Sequence, residues 1–147
     1  MTTALSPIEI IDQLSLRYGD TITVVEPPGN DPRPYVVVDR EHLLPILEFL
    51  RSDAACLFSF LADVTCVDHL YLDVPEIGER FASVYQLYSH EHNHRFTVKA
   101  RVPENDPRCP SAVGLWKSAL WGEREAHDMY GVEYEGNPDM RRLLVPE

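Results

Sequence analysis

The stretch Phe81-Ala-Ser-Val-Tyr-Gln-Leu-Tyr88 alternates in character along its length, and so does Phe96-Thr-Val-Lys-Ala-Arg-Val102. Alternation is typical of β-strands, because successive side chains point to opposite faces of a sheet. The polar link from Ser89 to Arg95 is short enough to join the two stretches. Together they predict an antiparallel hairpin.

The sequence before this hairpin begins with a helix and two strands. Apolar residues at three- and four-residue spacing predict a helix over Pro7 to Leu16, which Gly19 should end. The β-branched runs Thr21–Val25 and Tyr35–Val38 predict strands. Between them, Glu26 to Pro34 is rich in proline and predicts an exposed loop.

Residues 39 to 72 predict a helix, a second short helix and another strand. Asp39 is a candidate N-cap for the helix that apolar periodicity marks over Leu43 to Leu50. Asp53 is a candidate cap for a second helix that runs through Phe60. The predicted strand is formed by Val64–Val67 and Leu70–Leu72.

After the hairpin, a proline-rich connector from Pro103 to Pro110 leads into a last helical region. Ser111 is a candidate N-cap for the turn that holds Trp116. A helix is expected from Ala119 to Tyr130, with Gly131 as its left-handed cap.

Strands that are grouped together, with helices before and after them, favour an α+β fold. We therefore expect a mixed, largely antiparallel sheet with helices packed on one face. The 147 residues fit a single domain, residues 1–147.

Composition excludes several classes of function. The net charge is −11, from 13 Lys and Arg against 24 Asp and Glu, and such a surface repels phosphate backbones and anionic lipids. The sequence contains no run of about 18 apolar residues, and its first residues do not resemble a signal peptide. We expect a cytoplasmic protein that binds neither nucleic acid nor the membrane directly.

No cofactor motif is found in the sequence. Cys56, Cys66 and Cys109 are widely spaced, without a Cys-x-x-Cys pair for zinc or an iron–sulfur cluster, and should be reduced thiols. Glycine-rich nucleotide-binding loops and a nucleophile elbow are absent as well.

Two groups of residues could carry chemistry by themselves. His90, His92 and His94 occupy alternate positions and would share a face of a continuous strand, where they could bind a metal. They fall at the predicted turn, however, which favours a solvated polar turn. Asp63, Asp68 and His69 could form an acid–base cluster, but Asp63 and Asp68 should face opposite sides of the sheet.

The segment from Glu123 to Arg142 is unusually rich in charge. On a helix, Glu123 lies one turn from His127, and Arg124 one turn from Asp128. Such pairs contribute only about 0.2–0.5 kcal/mol each, too little to explain the cluster. The segment therefore indicates either a polar docking surface or a solvated helix followed by an irregular tail.

In these residues the chain resembles the 30-kilodalton subunit family of respiratory complex I, whose bacterial members are called C-type subunits. The family signature is Glu-Arg-Glu, two variable residues, Asp, two apolar or aromatic residues, Gly, and a His-Pro turn that leads to Arg-Arg. The matching residues are Glu123, Arg124, Glu125, Asp128, Met129, Tyr130, Gly131, Tyr134, Gly136, Pro138, Asp139, Arg141 and Arg142. The segments Phe60–Asp68, Asn93–Arg95 and Pro110–Trp116 also resemble the family.

Two departures from the family pattern are visible. Asn137 stands where the family usually has His. The chain stops at Glu147, whereas members usually continue into a tail along the 49-kilodalton subunit, so we expect that contact to be missing or shortened.

The resemblance implies a non-redox structural subunit of the peripheral arm of a proton-translocating NADH:quinone oxidoreductase. It would dock on the 49-kilodalton, D-type subunit and other quinone-module subunits, at the cytoplasmic side of the cell membrane. NADH, FMN, iron–sulfur clusters and quinone would belong to the assembled complex, and this subunit would carry no cofactor, metal or catalytic residue. The implied docking residues are Glu123, Arg124, Glu125, Asp128, Gly131, Pro138, Asp139, Arg141 and Arg142.

Two alternatives stay open at the level of sequence. One is the equivalent subunit of a membrane-bound hydrogenase or a related dehydrogenase. The other, from a different class, is a small metal-binding module that uses His90, His92, His94 and Asp68.

Overall fold

A computed structural model describes residues 5–25, 34–53, 55–70 and 77–138 of the chain. Its first element, helix α1, spans Pro7–Tyr18 and confirms the predicted N-terminal helix. Ser6 and Glu9 form a capping box, in which the Glu9 amide donates to Ser6 Oγ at 3.3 Å and the Ser6 amide donates to Glu9 Oε1 at 3.1 Å. The helix ends at Gly19, which has a φ of 53°, a conformation that favours glycine.

Five strands form the main sheet. They are β1 (Ile22–Val25), β2 (Tyr35–Asp39), β3 (Phe60–Asp68), β4 (Phe81–Ser89) and β5 (His94–Val102), in the spatial order β1-β2-β5-β4-β3. Only β2 and β5 run parallel among these neighbours; the other three pairs are antiparallel. The predicted hairpin is confirmed as β4 and β5, with Ser89 opposite His94.

Helix α2 spans Leu43–Ser52, with His42 at its N-cap and Asp53 at its C-cap, so neither Asp39 nor Asp53 is the N-cap of an α-helix as predicted. Asp39 ends β2, makes no cap bond to the short 3₁₀ turn that follows, and pairs with Arg101 at 3.1 Å. Asp53 Oδ1 accepts a hydrogen bond from the Ala55 amide at 2.9 Å. This bond is of the N-cap kind, but the turn does not continue, because Leu57 has a positive φ of 45°. Residues 55–59 lead into β3 without a helix.

The C-terminal part contains helix α3 and two short strands. Helix α3 spans Ala119–Tyr130, as predicted, and Gly131 ends it in the left-handed conformation with a φ of 76°. The strands β6 (Arg108–Pro110) and β7 (Glu133–Glu135), which the sequence did not predict, pair in parallel.

One main core joins the three helices to a single face of the sheet. Inward residues of α1, α2 and α3 share this cluster with Val36, Val38, Val98, Ala100 and Tyr85. A smaller cluster on the other face contains Val25, Val37, Ile77 and Ala82. The α+β class, with helices on one face of a mixed sheet, is therefore confirmed. Among the described residues, no helix is long and apolar enough to cross a bilayer.

Candidate functional site

The carboxylate of Glu123 lies at the centre of the charged segment. The residue is fully buried, with 0% exposure. Its Oε1 accepts hydrogen bonds from Ser111 Oγ at 2.6 Å and from Asn137 Nδ2 at 3.0 Å, and its Oε2 accepts one from the Ala112 amide at 2.7 Å. One side chain therefore ties α3 to the segment after β6 and to the segment after β7.

Two opposing effects act on the pKa of Glu123. Burial raises the pKa, because the charged form loses its hydration, whereas the bonds from Ser111, Ala112 and Asn137 lower it. Burial is the larger effect, and the pKa lies above its ordinary value of 4.5. A buried carboxylate with several donors is typical of a structural tie.

Asn137, the departure from the family pattern, belongs to this network. It is 8% exposed, and its Nδ2 also lies 3.3 Å from the Leu120 carbonyl oxygen, to which it donates. At the position where the family usually has His, the side-chain amide of Asn137 therefore donates a hydrogen bond directly to the carboxylate of Glu123.

The other predicted docking residues lie at different depths. Arg124 is buried, at 6% exposure, and Asp128 is half-buried. Glu125 and Pro138 are exposed, and Gly131 caps α3. Asp139, Arg141 and Arg142 lie outside the described residues.

Glu123, which the sequence predicted as a docking residue, lies inside this chain. Its side chain does not reach the surface of this chain, because both oxygens are used by internal donors. The helical spacing to His127 suggested a surface pair, but His127 Nδ1 instead lies 3.0 Å from the carbonyl oxygen of Val132. Ser111 and Asn137, the actual partners of Glu123, were missed as site residues.

Helix α3 is fixed by a close approach to strand β3. A Cβ added to Gly122 would lie 2.9 Å from the carbonyl oxygen of Val64, a distance that only glycine tolerates. Ser118 Oγ donates to the carbonyl oxygen of Leu61 at 3.3 Å, and Trp116 Nε1 donates to that of Phe58 at 3.1 Å. Side chains of the helix region thus occupy backbone acceptors in and just before β3, an edge strand of the sheet as described.

A buried polar cluster anchors β6 and β7 beneath the sheet. Ser83 Oγ lies 2.9 Å from the Tyr134 hydroxyl, and the Tyr85 hydroxyl lies 3.6 Å from Cys109 Sγ.

Cys56, Cys66 and Cys109 are free and buried. Burial raises the pKa of each thiol to about 12, so these cysteines are poor nucleophiles at neutral pH.

The three histidines do not form one site, although the ring centroids of His92 and His94 lie 5.7 Å apart. His94 stacks on Phe58 with ring centroids 4.6 Å apart, and its Nε2 lies 3.0 Å from the Cys56 carbonyl oxygen. His90 and His92 lie in the turn between β4 and β5. Within the described ranges, no three His, Cys, Asp or Glu side chains are placed to hold a metal ion.

The residues of the suggested acid–base cluster, Asp63, Asp68 and His69, do not form a common site either. Asp68 binds Arg80 through two bonds of 3.0 Å, and these bonds hold the pKa of its carboxyl below the ordinary value. Asp63 lies opposite Gln86 and Asp68 opposite Phe81, so the two carboxylates point to opposite faces. Asp68 and Arg80 therefore form a surface ion pair.

Two solved structures show the class of protein to which this fold belongs. The trypsin-resistant fragment (1-134) of Nqo5 matches with a TM-score of 0.77 and 33% identity, over 91% of this chain and 99% of the fragment. A chain of the membrane-bound sulfane sulfur reductase, an archaeal respiratory membrane complex, matches with a TM-score of 0.71 over 94% of this chain and 75% of that chain. Its identity of 24% makes this second likeness one of fold alone. The class is an α+β domain of the Nqo5 type.

Sequence comparison identifies the family. The family model of the respiratory-chain NADH dehydrogenase 30 Kd subunit matches residues 36–147. The C-type subunit of NADH-quinone oxidoreductase from Hyphomonas neptunium is 45% identical over 110 residues, which are 75% of this chain and 52% of that protein. The corresponding subunit from Rhodospirillum rubrum is 44% identical over 109 residues, which are 74% of this chain and 48% of that protein.

The chain therefore belongs to the NADH dehydrogenase 30 kDa subunit family, which confirms the resemblance stated from the signature residues. It spans about half the length of these two curated relatives.

Proposed function

We propose that the chain is a non-redox structural subunit of the peripheral arm of a proton-translocating NADH:quinone oxidoreductase. In this role it docks on the 49 kDa-type subunit and braces the quinone-reducing module at the cytoplasmic side of the cell membrane. NADH, FMN, iron–sulfur clusters and quinone are bound by other subunits. The observation that carries the proposal is the family membership over residues 36–147.

The geometry of the C-terminal part supports a bracing role. Glu123 joins three segments through its bonds to Ser111, Ala112 and Asn137, and Gly122 seats α3 directly on β3. A docking element that is ordered before it binds loses less conformational entropy on association. The internal ties thus favour affinity without themselves touching a partner.

In this proposal the docking residues divide by depth. Glu123 and Arg124 are buried and shape the segment from within. Gly131 ends α3, and Glu125, Asp128 and Pro138 face the partner. Asp139, Arg141 and Arg142 follow Pro138 in sequence and complete the docking segment. The paired guanidiniums suit bidentate contacts with carboxylate or carbonyl groups of the 49 kDa-type subunit.

The test is purification of the tagged full chain from detergent-solubilised membranes of its source organism. We expect it to co-purify with a 49 kDa-type subunit in a particle that oxidises NADH and reduces quinone. Deleting the gene should remove that activity from the membranes. Co-purification with hydrogenase subunits, or a stoichiometric metal in the purified chain, would contradict the assignment.

One substitution tests the docking segment within the same experiment. Arg142→Ala should lower the yield of assembled complex at least tenfold, because loss of a paired interface arginine commonly has effects of that size. Arg51→Ala, which removes an exposed arginine from α2, is the matched control and should assemble normally. Equal yields from the two variants would show that Arg142 does not dock.

A further inference from the structure

The outer side of α3 carries an aromatic side chain that is exposed and already held in place. Trp121 is 57% exposed, and its Nε1 donates a hydrogen bond to Glu125 Oε1 at 2.7 Å. The bond satisfies the polar group of the indole and restricts the rotation of the ring. Exposed tryptophans that can be buried on association are among the residues that contribute most to protein interfaces.

A second large apolar side chain lies on the same side of the helix. Met129 is 73% exposed and lies about two turns beyond Trp121. Glu125 lies between them, and Asp128 borders the same face. We call these four residues, Trp121, Glu125, Asp128 and Met129, the α3 stripe.

The carboxylate of Asp128 has an unmet requirement for a donor. Its Oδ1 is covered and has no hydrogen-bond partner within the part of the chain that the structure describes. A covered acceptor without a donor is unfavourable, because the oxygen has lost its hydration and gained no hydrogen bond in return. Asp128 is only half-buried, so the carboxylate as a whole can still be approached by an incoming cationic donor, although Oδ1 itself is covered.

The sides of α3 that pack against the rest of the chain are held in place. Gly122 lies against the backbone of β3, and the bonds of Glu123 hold the same turn of the helix. The α3 stripe is thus presented on a platform that need not rearrange when a partner binds.

We propose that the α3 stripe binds a segment of a neighbouring subunit that presents an arginine flanked by apolar side chains. A guanidinium can stack on the Trp121 indole and donate to the carboxylates of Glu125 and Asp128, a combination that a lysine ammonium satisfies less well. The flanking apolar groups cover Met129. This inference rests on the proposed function, since it names the chemistry of one of the partners.

Charge complementarity selects this occupant. The chain has a net charge of −11, and two of the four residues of the stripe are carboxylates. An acidic segment would be repelled, and a purely apolar one would cover both carboxylates and supply no further donor to either. The rival occupant is the chain's own segment 139–147, which contains Arg141 and Arg142.

The experiment places a photoreactive benzoylphenylalanine at position 129 of the tagged full chain, so that Trp121 stays in place, and irradiates the native membranes. We expect the cross-linked peptide to come from another subunit and to contain an arginine next to apolar residues. A cross-link confined to residues 139–147 of the same chain, or the absence of any cross-link from an assembled complex, would overturn the proposal.

Substitutions give an independent readout. Trp121→Ala and Asp128→Asn should each weaken association with the complex at least tenfold, while Asp12→Asn and Leu16→Ala, exposed positions on α1, should have no effect. Asp128→Asn should also leave the stability of the isolated chain unchanged or raised, because it removes a charge from a covered site. If the unmodified chain assembles and both stripe variants assemble equally well, this inference fails alone; if the unmodified chain does not enter the complex, the proposed function fails with it.

Discussion

At the scale of single residues, Glu123 should leave a signature in the pH dependence of stability. Its pKa is raised by burial, so the unfolded chain releases this proton at lower pH than the folded chain does. The group therefore contributes its full stability below about pH 4.5, the ordinary value, and loses it as the pH rises through the raised pKa. Glu123→Gln cannot ionise, and its free energy of unfolding lacks this decline.

The prediction is a stability advantage of the unmodified chain over Glu123→Gln that shrinks as the pH rises from 4 to 7. Across this range, Glu123→Gln should be less stable than the unmodified chain by at most about 1–3 kcal/mol. The reason is that the glutamine amide places a donor opposite one of the groups that now donate to Glu123. Urea unfolding at several pH values measures both quantities. Glu48→Gln, an exposed change on α2, controls for loss of charge, and an advantage that grows with pH would contradict the prediction.

At the scale of elements, the contact between α3 and β3 depends on the missing side chain of Gly122. Replacing a helical glycine by alanine ordinarily stabilises a helix by about 1 kcal/mol. Here the new Cβ would meet the Val64 carbonyl oxygen at 2.9 Å, and overpacking typically costs about 1–3 kcal/mol. Because the Val64 carbonyl belongs to the backbone and cannot easily move aside, the cost of overpacking should exceed the gain in helix stability.

Gly122→Ala should therefore lower the free energy of unfolding by up to about 2 kcal/mol, the cost of overpacking less the helical gain. Thermal and urea unfolding of the full chain measure the change. The matched control is Gly114→Ala, because nothing lies within 4 Å of a Cβ at that position. A stabilised Gly122→Ala variant would mean that α3 can move away from the strand at little cost.

At the scale of the whole molecule, the parts predicted from sequence were those with local causes. The periodicity of α3, its left-handed cap at Gly131 and the alternation of β4 and β5 are properties of neighbouring residues, and all three are confirmed. The short parallel strands β6 and β7 have no such local pattern, since each three-residue strand forms only by pairing with the other. The candidate cap at Asp39 failed because the fold brings Arg101 to its carboxylate. The one at Asp53 failed because its turn ends at Leu57, which has a positive φ.

The same distinction applies to the candidate site. The signature marked Glu123 correctly as a residue of interest, but helical spacing paired it with the wrong neighbours. Its real partners, Ser111 and Asn137, belong to segments that only the folded chain brings together. An acidic residue in the middle of a helix, flanked by the apolar core positions Ala119 and Ala126, is the one signal that could have indicated its burial.

The parallel pairing of β2 with β5 has a consequence for the order of folding. It joins Val36 to Val98, about 60 positions apart, whereas β3, β4 and β5 pair with neighbours along the chain. Closing a long loop costs entropy before its contacts are gained. We expect the β3–β4–β5 meander to acquire protected amides first in pulse-labelling hydrogen exchange, and β1 and β2 to dock last. Simultaneous protection of all five strands would contradict this order. If the order holds, the N-terminal third of a newly synthesised chain is the last part to reach its native position.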